Sequence, residues 1–192
     1  LRYSREELGT DLKLIQLISA NQANLVTPAG LDAIALVPGA NLHYLTGIDF
    51  HLMERPLVVF FVPGSEPVAV VPSLEEARLA ACGIPMTLFP WSDSEGSGAA
   101  FAAAAGVLKL RGKRVGVEEL RMRVLEAHLL QEHLLGAALV PAGQALAVLR
   151  LRKDADAVRA VVAASRVQLD EVTVPRLVLW DLWAGNVMVD PT

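Results

Sequence analysis

The sequence predicts an α/β domain, a mixed β-sheet flanked by helices and followed by a linking helix. Short β-branched runs alternate with helical segments from GLDAIALVPG through to AALVPAG, the pattern of a layered α/β sheet. Two of the runs, PLVVFFV and PVAVVP, are separated only by the turn PGSE. They form an antiparallel hairpin, so the sheet is mixed rather than all parallel. The chain of 192 residues is 53% hydrophobic and 20% charged, which is enough apolar material for a substantial core.

Taken in order, residues 5–20 read as a helix, with Leu8, Leu12, Ile15 and Ile18 at helical spacing. GLDAIALVPG is a buried strand carrying Ile34, Leu36 and Val37 and closed by Pro38-Gly39. NLHYLTG is a short helix or turn, with Asn41 as its cap. After the hairpin, SLEEARLAAC opens on a capping box of Ser73 with Glu76. MTLFPW is a strand that ends in the loop SDSEGSG. AAFAAAAGVLKLRG is a helix by alanine content, closed by Gly112. KRVGVE is a strand, EELRMRVLEAHLLQEHLLG a long amphipathic helix ending at Gly136, and AALVPAG a last strand. QALAVLRLRKDADAVRAVVAASRVQLDEV is then mostly helix, with a break near Arg152-Lys153, and the tail PRLVLWDLWAGNVMVD alternates and turns like a hairpin around Ala184-Gly185-Asn186. These readings divide the chain into an α/β domain over 1–150, a linker helix over 151–170 and a tail over 171–192.

Composition excludes several functions. The net charge is −4 and the pI about 5.6, without the basic block that a nucleic-acid partner requires. A single cysteine, Cys82, cannot close an internal disulfide, in keeping with a reducing cytoplasm. No apolar run approaches the ~18 residues of a membrane span. LRYSREELGTD is charged, lacks a signal-peptide core and begins with Leu rather than Met. A hydrophobic content this high with only 5% aromatics leads to an expectation of uncovered apolar surface and self-association.

Most of the apparent chemical constellations dissolve on spacing. His128 and His133 stand at i and i+5 and diverge by about 140° on a helix, so they read as two histidines on a wet face rather than a zinc pair. EGSGAAF lacks the third glycine of a dinucleotide turn. The pairs Glu75-Glu76 and Glu118-Glu119 diverge by about 100° and suit helix N-termini. Cys82 reads as core. One cluster persists. Asp49, His51, Glu54 and Arg55 fall within seven residues of a polar loop, and they either form a site or serve one that lies elsewhere.

GLDAIALVPGANLHYLTG and, far downstream, LRLRKDADAVRAVVAASRVQ resemble the N-terminal domain of the creatinase/prolidase/aminopeptidase P family, which has a ribonuclease H-like fold. The family pattern Gly-Leu-Asp-Ala, then Asn-x-x-Tyr-Leu-Thr-Gly, then Leu-Arg-x-x-Lys-x-x-x-Glu is met in order over about residues 10–168, except that Ala157 replaces the final acid. The resemblance implies the non-catalytic N-terminal domain of a metal-dependent Xaa-Pro dipeptidase or aminopeptidase. It implies a homodimer, a peptide substrate and a dinuclear Mn, Co or Zn centre held by a separate catalytic domain beyond residue 170. This chain is then expected to hold neither catalytic residues nor metal ligands, and to cleave nothing alone. Asp49, Phe50, His51 and Arg55 would face the substrate pocket, the alternative being a solvated loop. Tyr44 and Thr46 would be a packed ring and a turn hydroxyl. A creatine amidinohydrolase-type domain and a free-standing binding module remain the alternatives.

After Val174 the resemblance stops. PRLVLWDLWAGNVMVD is similar to the catalytic loop of aminoglycoside-phosphotransferase-type kinases, with Asp181 and Asn186 at the base and metal-ligand places. Leu179 and Trp180 stand where His-Gly is usual, and the other parts a kinase needs are missing. No function rests on this tail.

Overall fold

A computed structural model describes residues 30–151, with side chains to residue 147. The helix expected over 5–20, the break near Arg152-Lys153, the linker and the tail lie outside the described residues. The strands are β1 (Ala33–Leu36), β2 (Val58–Phe61), β3 (Val68–Pro72), β4 (Thr87–Trp91), β5 (Arg114–Val117) and β6 (Ala138–Pro141). The helices are α1 (Ala40–Thr46), α2 (Ser73–Ala80), α3 (Gly98–Leu108), α4 (Val124–His133) and α5 (Gly143–Leu151). The described residues up to Leu146 belong to one compact unit.

The strands form one sheet in the order β4-β3-β2-β1-β5-β6. β2 pairs antiparallel with β1 and β3, while the β3–β4, β1–β5 and β5–β6 pairs are parallel. The mixed sheet that the sequence predicts is therefore present, with β2 alone reversed. Its hairpin turns at Pro63-Gly64, where Ser65 N donates to Val62 O at 3.1 Å and Gly64 has φ 74°. Positive φ at the third turn position is where glycine is needed.

β1, β2 and β3 are buried along their whole length, whereas the outer strands β4 and β6 are partly exposed. Unbroken apolar runs are what a strand covered on both faces requires. One face carries Ala33, Ala35, Val58, Phe60, Val68 and Val70, packed with Phe101 and Ala104 of α3 and Leu130 of α4. The alternate residues Ile34, Leu36, Val59, Phe61 and Val71 are equally buried on the other face. Gly116 of β5 permits close packing there, because a Cβ would lie 2.7 Å from Leu31 Cδ1 and 2.9 Å from Ala142 Cβ.

Several local expectations are corrected. Asn41 does not cap α1, since Gly39 precedes the helix and Asn41 Nδ2 instead donates to Glu118 Oε1 at 2.6 Å. Ser73 and Glu76 form no capping box, as Ser73 Oγ donates to Trp91 O at 3.0 Å and ties α2 to β4. The helix expected from Glu118 begins only at Val124. Glu118 is buried, its carboxylate also accepts from Val37 N, and its carbonyl closes a turn with Arg121 N and Met122 N. Nor does Glu119 start a helix of its own; its carboxylate accepts the Gly143 N–H at the head of α5. α3 stops before Gly112, with Lys109 in the left-handed region at φ 52°. His133 does not share a wet face with His128, because its ring stacks on Phe101 at 6.2 Å and 15°. Tyr44, expected as a packed ring, is 41% exposed.

Candidate substrate cleft at the carboxyl edge of the sheet

Reversal of β2 sets the geometry. The loop entering β2 lies at the edge where the other five strands end, and in open α/β sheets this carboxyl edge is where ligands bind. α1 delivers the chain to that loop. Gly47 closes the helix at φ 69°, donating to His43 O. Thr46 Oγ1 donates to Leu42 O at 2.7 Å and accepts from Ile48 N at 3.2 Å. Thr46 is thus the turn hydroxyl that the sequence suggests. Ile48 and Phe50 then bury their side chains and root the start of the loop.

The rest of the loop is held by neighbours on several elements. Arg78 of α2 lies over the Phe50 ring at 4.8 Å and donates through Nη2 to Asp49 O. Arg123, just before α4, donates to Met53 O at 2.6 Å. Trp91 Nε1 of β4 donates to Pro56 O at 3.1 Å. Arg55 forks onto Asp93, with Nε to Oδ1 at 2.9 Å and Nη2 to Oδ2 at 2.6 Å. Such planar bidentate pairing is the stronger kind of ionic contact.

Of the residues singled out from sequence, Phe50, His51 and Arg55 line a half-open cleft of about 170 Å³ against Pro72, Leu74 and Arg78. Asp49 is not among its lining residues and contributes its carbonyl to Arg78. Sequence reasoning missed Arg78, Asp93, Arg123 and Glu126. Arg78 and Glu126 were detectable only as i+3 charge pairs with Glu75 and Arg123. Glu126 is fully buried under Arg123, and the hydrogen bonds of this pair raise the Arg123 guanidinium above its ordinary value.

The hydrogen bond from Arg55, reinforced by its charge, holds the Asp93 carboxyl below its ordinary value of 3.8. A depressed carboxyl contributes stability above its unfolded pKa, and that contribution is lost as pH falls through the lower folded value. Asp93 should therefore titrate below 3.8 in a carbon-detected NMR titration, and Arg55→Ala should return it to the ordinary range. An unshifted Asp93 in the parent protein would mean that the fork does not persist in solution.

Among the described residues, no three His, Cys, Asp or Glu side chains converge as a metal site, and no helix is long and apolar enough to cross a membrane. Residues 21–152 match the family model of the Creatinase/Prolidase N-terminal domain. The chain belongs to this family. The six-stranded mixed sheet is the creatinase/prolidase N-terminal fold, as likeness to solved structures also shows. A prolidase from Thermococcus sibiricus is 25% identical with TM-score 0.68, covering 79% of this chain and 40% of its own. Dipeptidase PepE from Mycobacterium ulcerans is 26% identical with TM-score 0.65, covering 84% and 44% respectively. The N-terminal domain of an X-Pro dipeptidase from Streptococcus pyogenes shares the fold at 24% identity and TM-score 0.57, covering 72% of this chain and 99% of its own. This creatinase/prolidase domain thus spans about two fifths of the length of the first two. No curated protein sequence matches it.

Proposed function

We propose that this domain is the non-catalytic N-terminal part of a cytoplasmic, metal-dependent Xaa-Pro dipeptidase-like hydrolase, where it dimerises and shapes the substrate pocket. The observation that carries the reading is the cleft itself. At about 170 Å³ it falls below the roughly 300 Å³ at which small-molecule sites usually begin, and it is half open. It suits one wall of a pocket, with the remainder supplied by another surface. The dinuclear Mn, Co or Zn centre of the proposed parent finds no ligand set among the described residues. What the domain supplies is a rigid aromatic and basic wall. Self-association is supported by apolar side chains at the same edge, Met53, Leu74, Leu120 and Val124, all exposed.

The test is kinetic, in the full-length protein with an Xaa-Pro dipeptide. His51→Ala removes an exposed cleft side chain. Loss of one such contact is worth about 1–3 kcal/mol, or roughly a 5- to 150-fold fall in kcat/KM. Arg55→Ala should fall in the same range, since it strips both the cleft wall and the Asp93 fork. Metal content should stay constant in both. Unchanged kinetics would return the loop to a solvated surface, and loss of metal would mean that its role is different.

A further inference from the structure

Two walls of the cleft are held from one short segment that does not itself line it. Between β5 and α4, Glu118 O accepts from Arg121 N at 2.9 Å and from Met122 N at 2.7 Å, which folds the chain into a tight turn. The Glu118 carboxylate ties this turn to the end of β1 through Val37 N and Asn41 Nδ2. From the turn, Arg121 Nε donates to Pro38 O at 2.6 Å, and Arg123 Nη1 donates to Met53 O at 2.6 Å. Pro38 and Met53 both line the cleft, whereas neither arginine does. They belong to different connections, Pro38 to that between β1 and α1 and Met53 to that between α1 and β2. Gly39 makes room for the first of these bonds. Its backbone is extended, with φ 160° and ψ −172°, and so does not itself call for glycine. A Cβ there would lie 2.7 Å from Arg121 Cδ and Cζ and nearer still to Nε, so Arg121 crosses the space that a side chain would fill.

We propose that Arg121 is a positioning residue for this cleft. Its Nε–H fixes Pro38 while Arg123 fixes Met53, so the turn between β5 and α4 sets the separation of the two walls. Pro38 has no N–H of its own, which leaves its carbonyl as the backbone group by which this wall can be gripped. The Arg123 end is stiff, because its guanidinium also lies on the buried Glu126 carboxylate. Arg121 makes no ion pair among the described residues, and its hold on the wall is the bond to Pro38 O. A wall fixed before binding spares the ligand the cost of ordering it. Losing the bond therefore weakens binding more than it slows the chemical step. Arg121 serves the pocket proposed above, and its assignment rests on that reading.

The experiment compares Arg121→Met, Arg121→Gln and Gly39→Ala in the full-length protein, reading KM and kcat for an Xaa-Pro dipeptide and the unfolding midpoint. Glutamine keeps an N–H donor at the place of Nε, and methionine has nearly the same shape without one. Arg121→Met should raise KM about five- to tenfold, the order expected of one lost hydrogen bond, with kcat and the midpoint little changed. Arg121→Gln should restore most of the parent KM. Gly39→Ala should match Arg121→Met, because the added methyl pushes a flexible side chain off Pro38 O. The double variant Gly39→Ala/Arg121→Met should be no worse than either single one, since both remove the same bond. Multiplied effects in the double variant, or an equally raised KM for Gln and Met, would overturn the proposal. A midpoint that falls in step with the rise in KM would reduce Arg121 to a structural role and also overturn it. Parent-like KM in Arg121→Met and Gly39→Ala, beside a raised KM in His51→Ala, would sink the proposal while the pocket reading stands. If His51→Ala is unchanged as well, both readings fall.

Discussion

Replacing Arg123 with alanine is expected to destabilise the domain by about 3–5 kcal/mol, the range for breaking one side of a buried ion pair. Glu126 has no exposed surface, and Arg123 Nε reaches its two carboxylate oxygens at 2.9 and 3.0 Å. Removing the guanidinium strands a carboxylate beneath α4, in a medium that solvates it poorly. The reverse change should cost less, because the Arg123 side chain is 31% exposed and can turn toward water when Glu126→Gln takes the charge away. The double variant Arg123→Met/Glu126→Leu should lie nearer the parent than Arg123→Ala does, since apolar side chains of similar size leave no charge unpaired. Urea unfolding of the three variants measures this ordering. A loss below about 1 kcal/mol in Arg123→Ala would mean that Glu126 has another route to solvation. Because Arg123 also donates to Met53 O, the same variant should speed amide hydrogen exchange in the loop before β2.

Phe101→Ala is the second large effect, again about 3–5 kcal/mol, from lost transfer energy and the cavity left behind. Phe101 is 2% exposed and sits where α3 meets the sheet face carrying Phe60, Val68 and Val70. Its ring also stacks on His133, so it joins α3 to α4. Two helices would lose a shared contact, and backbone spacing set by a large ring does not readily close over a methyl group. Phe101→Leu, which keeps most of the volume, should cost clearly less. The check is the denaturation midpoint at constant slope. Equal losses for Ala and Leu would point to the ring stacking rather than the cavity as the source.

Much of the fold was legible because it is written in short-range rules. β-branched runs buried on both faces identify β1, β2 and β3 without knowledge of their neighbours. Pro63-Gly64 specifies the hairpin through the one backbone angle that glycine tolerates best. Thr46-Gly47 ends α1 and starts the loop because a hydroxyl and a left-handed residue act within two positions of each other. The loop could be singled out for the same reason, since its charges are adjacent in the chain. The expected caps failed where a side chain had a better partner far away. Asn41 turned to Glu118, 77 residues on, and Ser73 turned to Trp91.

The sequence by itself therefore determined the strands, the reversal of β2, the end of α1 and the loop that follows it, all of which depend on backbone angles and hydrophobic period. Only the tertiary structure decided how the charges at that loop are paired. Arg55 is closed off by Asp93, 38 residues away, while Arg78 is brought over Phe50 by the packing of α2. Glu126, in a helix that reads as amphipathic, is fully buried beneath Arg123. The physical reason is that a charge depends on its distance to partners and to water. Sheet order sets both, and no local pattern encodes them.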